Sequence, residues 1–201
     1  MAYDIKHLDN AKLQQKLYLF DSNLWIKIIK PQFHANARTQ KYLDFFKKFL
    51  KDNANPKIAL PALVLSEVIN RIMREVAYTK FLTSKGLKKQ DVDPGYYKTT
   101  YRKDPHFNTQ YQIILDEIRL YHNKYELVND ELGKLLKTNH IITTPASGLD
   151  YNDHFYHQLA KKKGYSIITD DIDFFVEDVE ILTYNNDLYQ KYKDTIKPIS
   201  K

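Results

Sequence analysis

The sequence predicts an α/β fold: a central parallel sheet flanked by helices, with an acidic site at the carboxyl ends of the strands. Three observations predict it. Short apolar runs rich in strand formers alternate with longer stretches of helical spacing, the order that builds a parallel sheet. Acids follow the strands, with Asp21 after "KLYLF" and Asp170, Asp171 and Asp173 after "YSIIT". In an open parallel sheet that end collects loops and helix N-termini, and chemistry collects with them.

The elements follow in order. "KLYLF" reads as a buried strand and "DSNLWIKII" as a helix that Asp21 or Ser22 caps. "NARTQKYLDFFKKFLKDN" places Tyr42, Phe45, Phe46, Phe49 and Leu50 at helical spacing. "KIALP" is a second strand, and Pro61 opens the first turn of a long helix through "ALVLSEVINRIMREVAYTKFL". From 83 to 108 the pattern breaks into a polar stretch containing Pro94 and Pro105, which reads as a basic inserted loop. Helix resumes in "TQYQIILDEIRLYHNKY", and a further helix is expected in "NDELGKLLKTN". "KTNHIITTPASGL" reads as extended. "DYNDHFYHQLAKKKG" is a helix with a glycine stop, "YSIIT" and "VEILTY" are the last strands, and a polar tail starts at about 185. The 201 residues fit a single domain with one insertion.

Composition excludes several classes. No window is long and apolar enough to span a membrane, and the N-terminal stretch is too polar for a signal peptide, so a cytoplasmic protein with no membrane partner is expected. With no cysteine, thiol chemistry, disulfides and the usual structural zinc sites drop out. Five glycines and no glycine-rich loop make a dinucleotide fold hard to build. The net charge of +6 is unevenly spread. Residues 71–103 hold nine Lys/Arg against three acids, whereas 150–180 hold eight acids against three lysines. A polyanion held beside a cation-binding cluster accounts for both regions, and two solvated faces of opposite sign are the plainer explanation.

Asp21, Asp150, Asp153, Asp170, Asp171 and Asp173 are thus directed to one sheet edge. Without a cation such acids raise one another's pKa, so a divalent metal is the economical reason to gather them. Simpler roles exist for each. Asp21 can cap its helix, "TDD" can be a turn, and Asp153 can complement a helix dipole. Glu67 is harder to explain away, because it is the sole acid in the first three turns of an apolar helix. His154 and His157 stand three apart on a helix, but no third ligand accompanies them.

The joint order of these acids resembles the PIN-domain ribonucleases, toxin-like members included. "YLFDSNLW" is similar to that family's first strand and leading acid, and "LSEVINR" to the helix supplying its Glu. The most specific likeness is "DYNDHFYHQLAKKKGYSIITDDIDF", through Asp153, Ala160, Gly164, Thr169, Asp171, Asp173 and Phe174. The resemblance implies Asp21, Glu67, Asp153 and Asp171 as catalytic metal-binding acids and Asp173 as an auxiliary one. It implies Asn23 and Thr169 as polar groups behind them, with Asp150 a stand-in for Asp153. The stretch 83–108 departs from the shorter toxin pattern.

The implied chemistry is hydrolysis of RNA phosphodiesters with Mg²⁺ or Mn²⁺, cations that favour carboxylate and water ligands. RNA contacts are expected from Arg71, Arg74, Tyr97, Lys98, Tyr101, Arg102 and Lys103, where "GYYKTTYRK" interleaves rings with cations. An antitoxin protein and a second copy of the chain are the other expected partners. Two alternatives stand beside this reading. One is a non-catalytic scaffold binding RNA or protein. The other is a haloacid-dehalogenase-like phosphotransferase, whose second Asp would fall where this chain has Asn23.

Overall fold

The computed structural model describes residues 2–129 and 148–196. The helix expected over 129–139 and most of the extended stretch before Leu149 fall outside the described residues.

Among the described residues six strands form one parallel sheet: β1 (Asp4–His7), β2 (Leu17–Phe20), β3 (Lys57–Pro61), β4 (Tyr125–Val128), β5 (Ser166–Ile168) and β6 (Glu180–Thr183). Their order is β1-β6-β5-β2-β3-β4, with Leu19 facing Ala59 on one side and Ile167 on the other. Leu19, Phe20, Ile58, Ala59, Ile167 and Ile168 are all buried, because central strands of a parallel sheet are covered on both faces. From β2 the chain steps outward through β3 and β4 on one side, while β5 and β6 lie on the other. The β2/β5 junction is therefore where the winding direction changes, which is the crevice where open α/β sheets take ligands.

The helices are α1 (Ser22–Ile29), α2 (Ala37–Lys51), α3 (Ala62–Arg71), α4 (Tyr78–Ser84), α5 (Tyr96–Thr99), α6 (Pro105–Arg119), α7 (Tyr151–Lys163) and α8 (Asn186–Ile196). Asn36 caps α2 through Thr39 N–H at 2.8 Å, and the helix buries Tyr42, Phe45, Phe46 and Phe49 as its spacing requires. α3 and α4 are joined without a break by a π-helical turn, Ile72–Ala77, a local widening that recurs at functional sites. Pro61 ends β3 and precedes α3 rather than sitting inside it. Gly164 ends α7 at φ 71°, the left-handed conformation that glycine adopts without steric cost. The polar tail from 185 is helical, and its Tyr189 ring lies 5.6 Å from His7.

Three expectations are corrected. β1 and β4 were not apparent from "DIKH" and "YELV", since edge strands tolerate charge and leave one flank uncovered. α6 starts at Pro105, not Thr109, with the Asp104 carboxylate capping it by accepting from His106 N–H at 2.9 Å. The stretch 83–108 is also no open loop. Short helical turns at Lys89–Asp91, α5 and Tyr101–Lys103 fold around Tyr101, which is fully buried against Phe81, Tyr97 and Phe107. Aromatic burial beats the lysines between the rings, because the lysine stems can lie outside while the rings turn in.

Candidate active site

Asp21 leaves β2 into the crevice beside β5 and is 2% exposed. It caps α1, accepting from Leu24 N–H at 2.6 Å, and its other oxygen accepts from the Thr169 hydroxyl and from Asp170 N–H at 3.3 Å. Burial pushes its pKa up to about 6 against these hydrogen bonds. Capping α1 and bonding across to Thr169 and Asp170 are thus one arrangement, not alternatives. Thr169 is itself fixed: its carbonyl accepts from the Tyr42 hydroxyl at 2.7 Å and its side-chain oxygen accepts from Asp171 N–H at 2.8 Å.

Asp171 is held by Asp173 N–H at 2.9 Å and by the Asn23 amide at 3.3 Å, and the Asn23 carbonyl accepts from Arg71 at 2.7 Å. Glu67 is held at both oxygens. Ser22 donates to one at 2.8 Å, while Tyr156 at 2.9 Å and Asn152 at 3.4 Å donate to the other. Asp150 caps α7 through Asp153 N–H at 2.9 Å.

Asp153 differs from the rest. Among the described residues no hydrogen bond reaches its carboxylate, and it is only partly exposed. Burial first, and then the charges of Asp150, Asp171, Asp21 and Glu67, push its pKa up to about 8. The four acids therefore lie within electrostatic range of one another at the β2/β5 junction. As placed, no three acids or histidines among the described residues stand close enough to clasp an ion. The donor chemistry nonetheless suits a hard cation: carboxylate oxygens, with the Asp153 carboxylate accepting no hydrogen bond among the described residues.

Two acids directed to this edge by the sequence meet the other acids through their backbone N–H groups, Asp170 at Asp21 and Asp173 at Asp171. Asp170 turns into an ion pair with Lys27 at 2.6 Å and with Arg38 at 3.3 Å. Asp173 is exposed and reaches the cluster through its N–H. His157 points to the Glu177 carbonyl at 2.9 Å, and burial lowers its pKa, so the paired histidines form no ligand set here. Asn152 and Tyr156 were not singled out by sequence, and Ser22 was read only as an alternative helix cap, whereas it donates to Glu67. Tyr156 lies four residues after Asn152 and three after Asp153 on one helix, a spacing that makes each of them its neighbour.

No protein-family model and no curated protein matches the chain. Among solved structures, VapBC2 from Rickettsia felis bound to a DNA fragment from their promoter is similar over 84% of this chain and 98% of that one, at 13% identity and a TM-score of 0.47.

The basic half of the site begins beside Glu67. A cleft of about 300 Å³ is lined by Glu67, Arg71, Arg74 and Asn152. Arg74 and Arg102 both lie over the Tyr97 ring, at 5.7 and 5.4 Å from its centroid. Lys98, Arg102 and Lys103 are exposed. Tyr101 is the correction: a ring with no exposed surface cannot stack on a base. Among the described residues its buried hydroxyl has no partner, so Tyr101→Phe is expected to stabilise the fold by about 1 kcal/mol while leaving RNA affinity unchanged. Chemical denaturation beside an RNA-binding titration checks both halves.

Proposed function

We propose that the chain is a Mg²⁺- or Mn²⁺-dependent endoribonuclease, with Asp21, Glu67, Asp153 and Asp171 as the acids that would hold the metal. The observation that carries this reading is Asp153: a half-buried carboxylate with no hydrogen bond among the described residues, opposed by the charges of four other acids, is costly unless a cation uses it. The bound cation would supply an activated water and charge stabilisation at the phosphate. The chain's own residues do the positioning. Leu24 N–H and Thr169 set Asp21, Asn23 sets Asp171, and Ser22, Tyr156 and Asn152 set Glu67. Arg71 and Arg74 line the cleft where an anionic backbone would enter.

The phosphotransferase alternative loses support on geometry. Asp21 is buried with both oxygens accepting hydrogen bonds, which is a poor nucleophile. Asn23 donates to Asp171 and cannot act as a second acid. The finer reading, a toxin restrained by an antitoxin, rests on the resemblance to PIN-domain toxins. Among the described residues no helix is long and apolar enough to cross a membrane.

Incubating a mixed RNA pool with the purified protein in Mn²⁺ and in chelator tests the activity. Cleavage in Mn²⁺ alone is expected. Binding without cleavage in any divalent ion would favour the scaffold. Tyr156→Phe keeps the ring but leaves one Glu67 oxygen with only the 3.4 Å contact from Asn152, and the expected result is a loss of about 10–100-fold in metal affinity or activity. A metal titration of the variant checks it, with the melting curve showing that the fold is kept.

A further inference from the structure

A second concavity of about 360 Å³ lies next to the Glu67 cleft, walled by Tyr78, Tyr97, Val92 and Pro94 and rimmed by Arg74, Lys89 and Lys98. Its size falls in the range of about 300–1,000 Å³ that takes a small organic group. Arg74 lines both this pocket and the Glu67 cleft, so the two are consecutive stations of one groove. That arginine is carried by the π-helical turn Ile72–Ala77, which joins the helix bearing Glu67 to the helix bearing Tyr78.

The rim carries three cations, Arg74, Lys89 and Lys98, against a single acid of the lining. Among the described residues Lys89 and Lys98 make neither an ion pair nor a side-chain hydrogen bond, and Arg74 has only the Tyr97 face. Asp93, the one acid of the lining, spends an oxygen on Gly95 N–H at 2.6 Å. A concave site with apolar walls and a net cationic rim matches a ligand with a planar ring and an anionic linkage.

We propose that this pocket takes one unstacked nucleotide of single-stranded RNA, its base against the Val92, Pro94 and tyrosine wall and its phosphate at Lys89, Lys98 and Arg74. The pocket thereby deepens the ribonuclease reading, on which it rests, by selecting single strands and fixing the strand relative to Glu67. A base paired in a helix cannot enter it.

The experiment is an anisotropy titration with a fluorescein-labelled ten-nucleotide single-stranded RNA, the same RNA in duplex, and oligoglutamate of equal charge. It uses full-length Asp21→Asn protein in chelator, so that binding is read whether or not the chain is a nuclease. Lys89→Ala with Lys98→Ala is compared with Lys162→Ala with Lys163→Ala, which removes the same charge from the exposed end of α7. The pocket pair is expected to weaken single-strand binding about fivefold or more and to flatten the slope of log K against log salt by about 1.4, two phosphate contacts at roughly 0.7 each. The α7 pair should do neither, and the duplex should bind less tightly than the strand. Equal effects of the two pairs, equal affinity for duplex, competition by oligoglutamate as strong as by RNA, or no RNA binding by the parent would each overturn the pocket. Cleavage failing while these binding differences hold would overturn the nuclease reading alone.

Discussion

Asp153→Asn is expected to abolish RNA cleavage and to raise the melting temperature of the metal-free protein. The substitution keeps the shape of the side chain and removes a charge that Asp150, Asp171, Asp21 and Glu67 all oppose. The gain should be about 2 kcal/mol, below a full conversion of the pKa change because the group keeps contact with solvent. For a domain of this size that is roughly 4–8 °C. Asp21→Asn should also end cleavage but without the gain. An amide there can accept from Leu24 N–H, yet its NH₂ would face the Asp170 N–H and leave two donors opposed. Chelator-treated melts of both variants beside the parent check the contrast. A parent-like or lower melting temperature for Asp153→Asn would count against the strain assigned to this residue.

The second large effect is on pH. In chelator, stability should fall as pH rises from about 4 to about 8. Asp153 holds a folded pKa of about 8 against an ordinary 3.8, so between those values the folded chain keeps a proton that the unfolded chain has released. Rising pH therefore favours unfolding across that window and levels off above it. Asp21, at about 6, adds the same sign between about 4 and 6. Glu180 acts oppositely and only in acid. Although burial opposes it, hydrogen bonds from Lys6, Ser166 and Lys16 hold its pKa at about 2, so its stabilisation is lost as pH falls below about 4.5. Denaturation midpoints at pH 5, 6, 7 and 8 measure the slope. Mn²⁺ should flatten it by displacing the proton, and Asp153→Asn should flatten it without metal.

The central sheet was legible because strands covered on both faces have to be apolar throughout, as "LYLF" and "SII" are. The edge strands carry Asp4, Lys6 and Glu126, which no burial forbids, and so resembled loop. The acids could be placed at the right edge from their position after strands. What the spacing could not tell was which of the adjacent Asp170 and Asp171 faces the cluster. Lys27, distant in sequence, decides that by pairing with Asp170. Nor could composition separate a ring that stacks on RNA from one that fills a core. Tyr97 and Tyr101 sit four apart in the same basic stretch, and only packing against Phe81 and Phe107 draws Tyr101 inside.

The central claim is that the acids at the β2/β5 junction exist to take a divalent cation. Calorimetric titration of Mn²⁺ into the parent and into Asp153→Asn, at pH 7 in two buffers of different ionisation enthalpy, tests it most directly. The parent should bind with release of about one proton, because a carboxyl with a pKa of about 8 is mostly protonated there and must give up its proton to a metal. The variant should release none and bind at least about tenfold more weakly. Indistinguishable isotherms for the two proteins, or no binding heat from Mn²⁺ or Mg²⁺, would contradict the account.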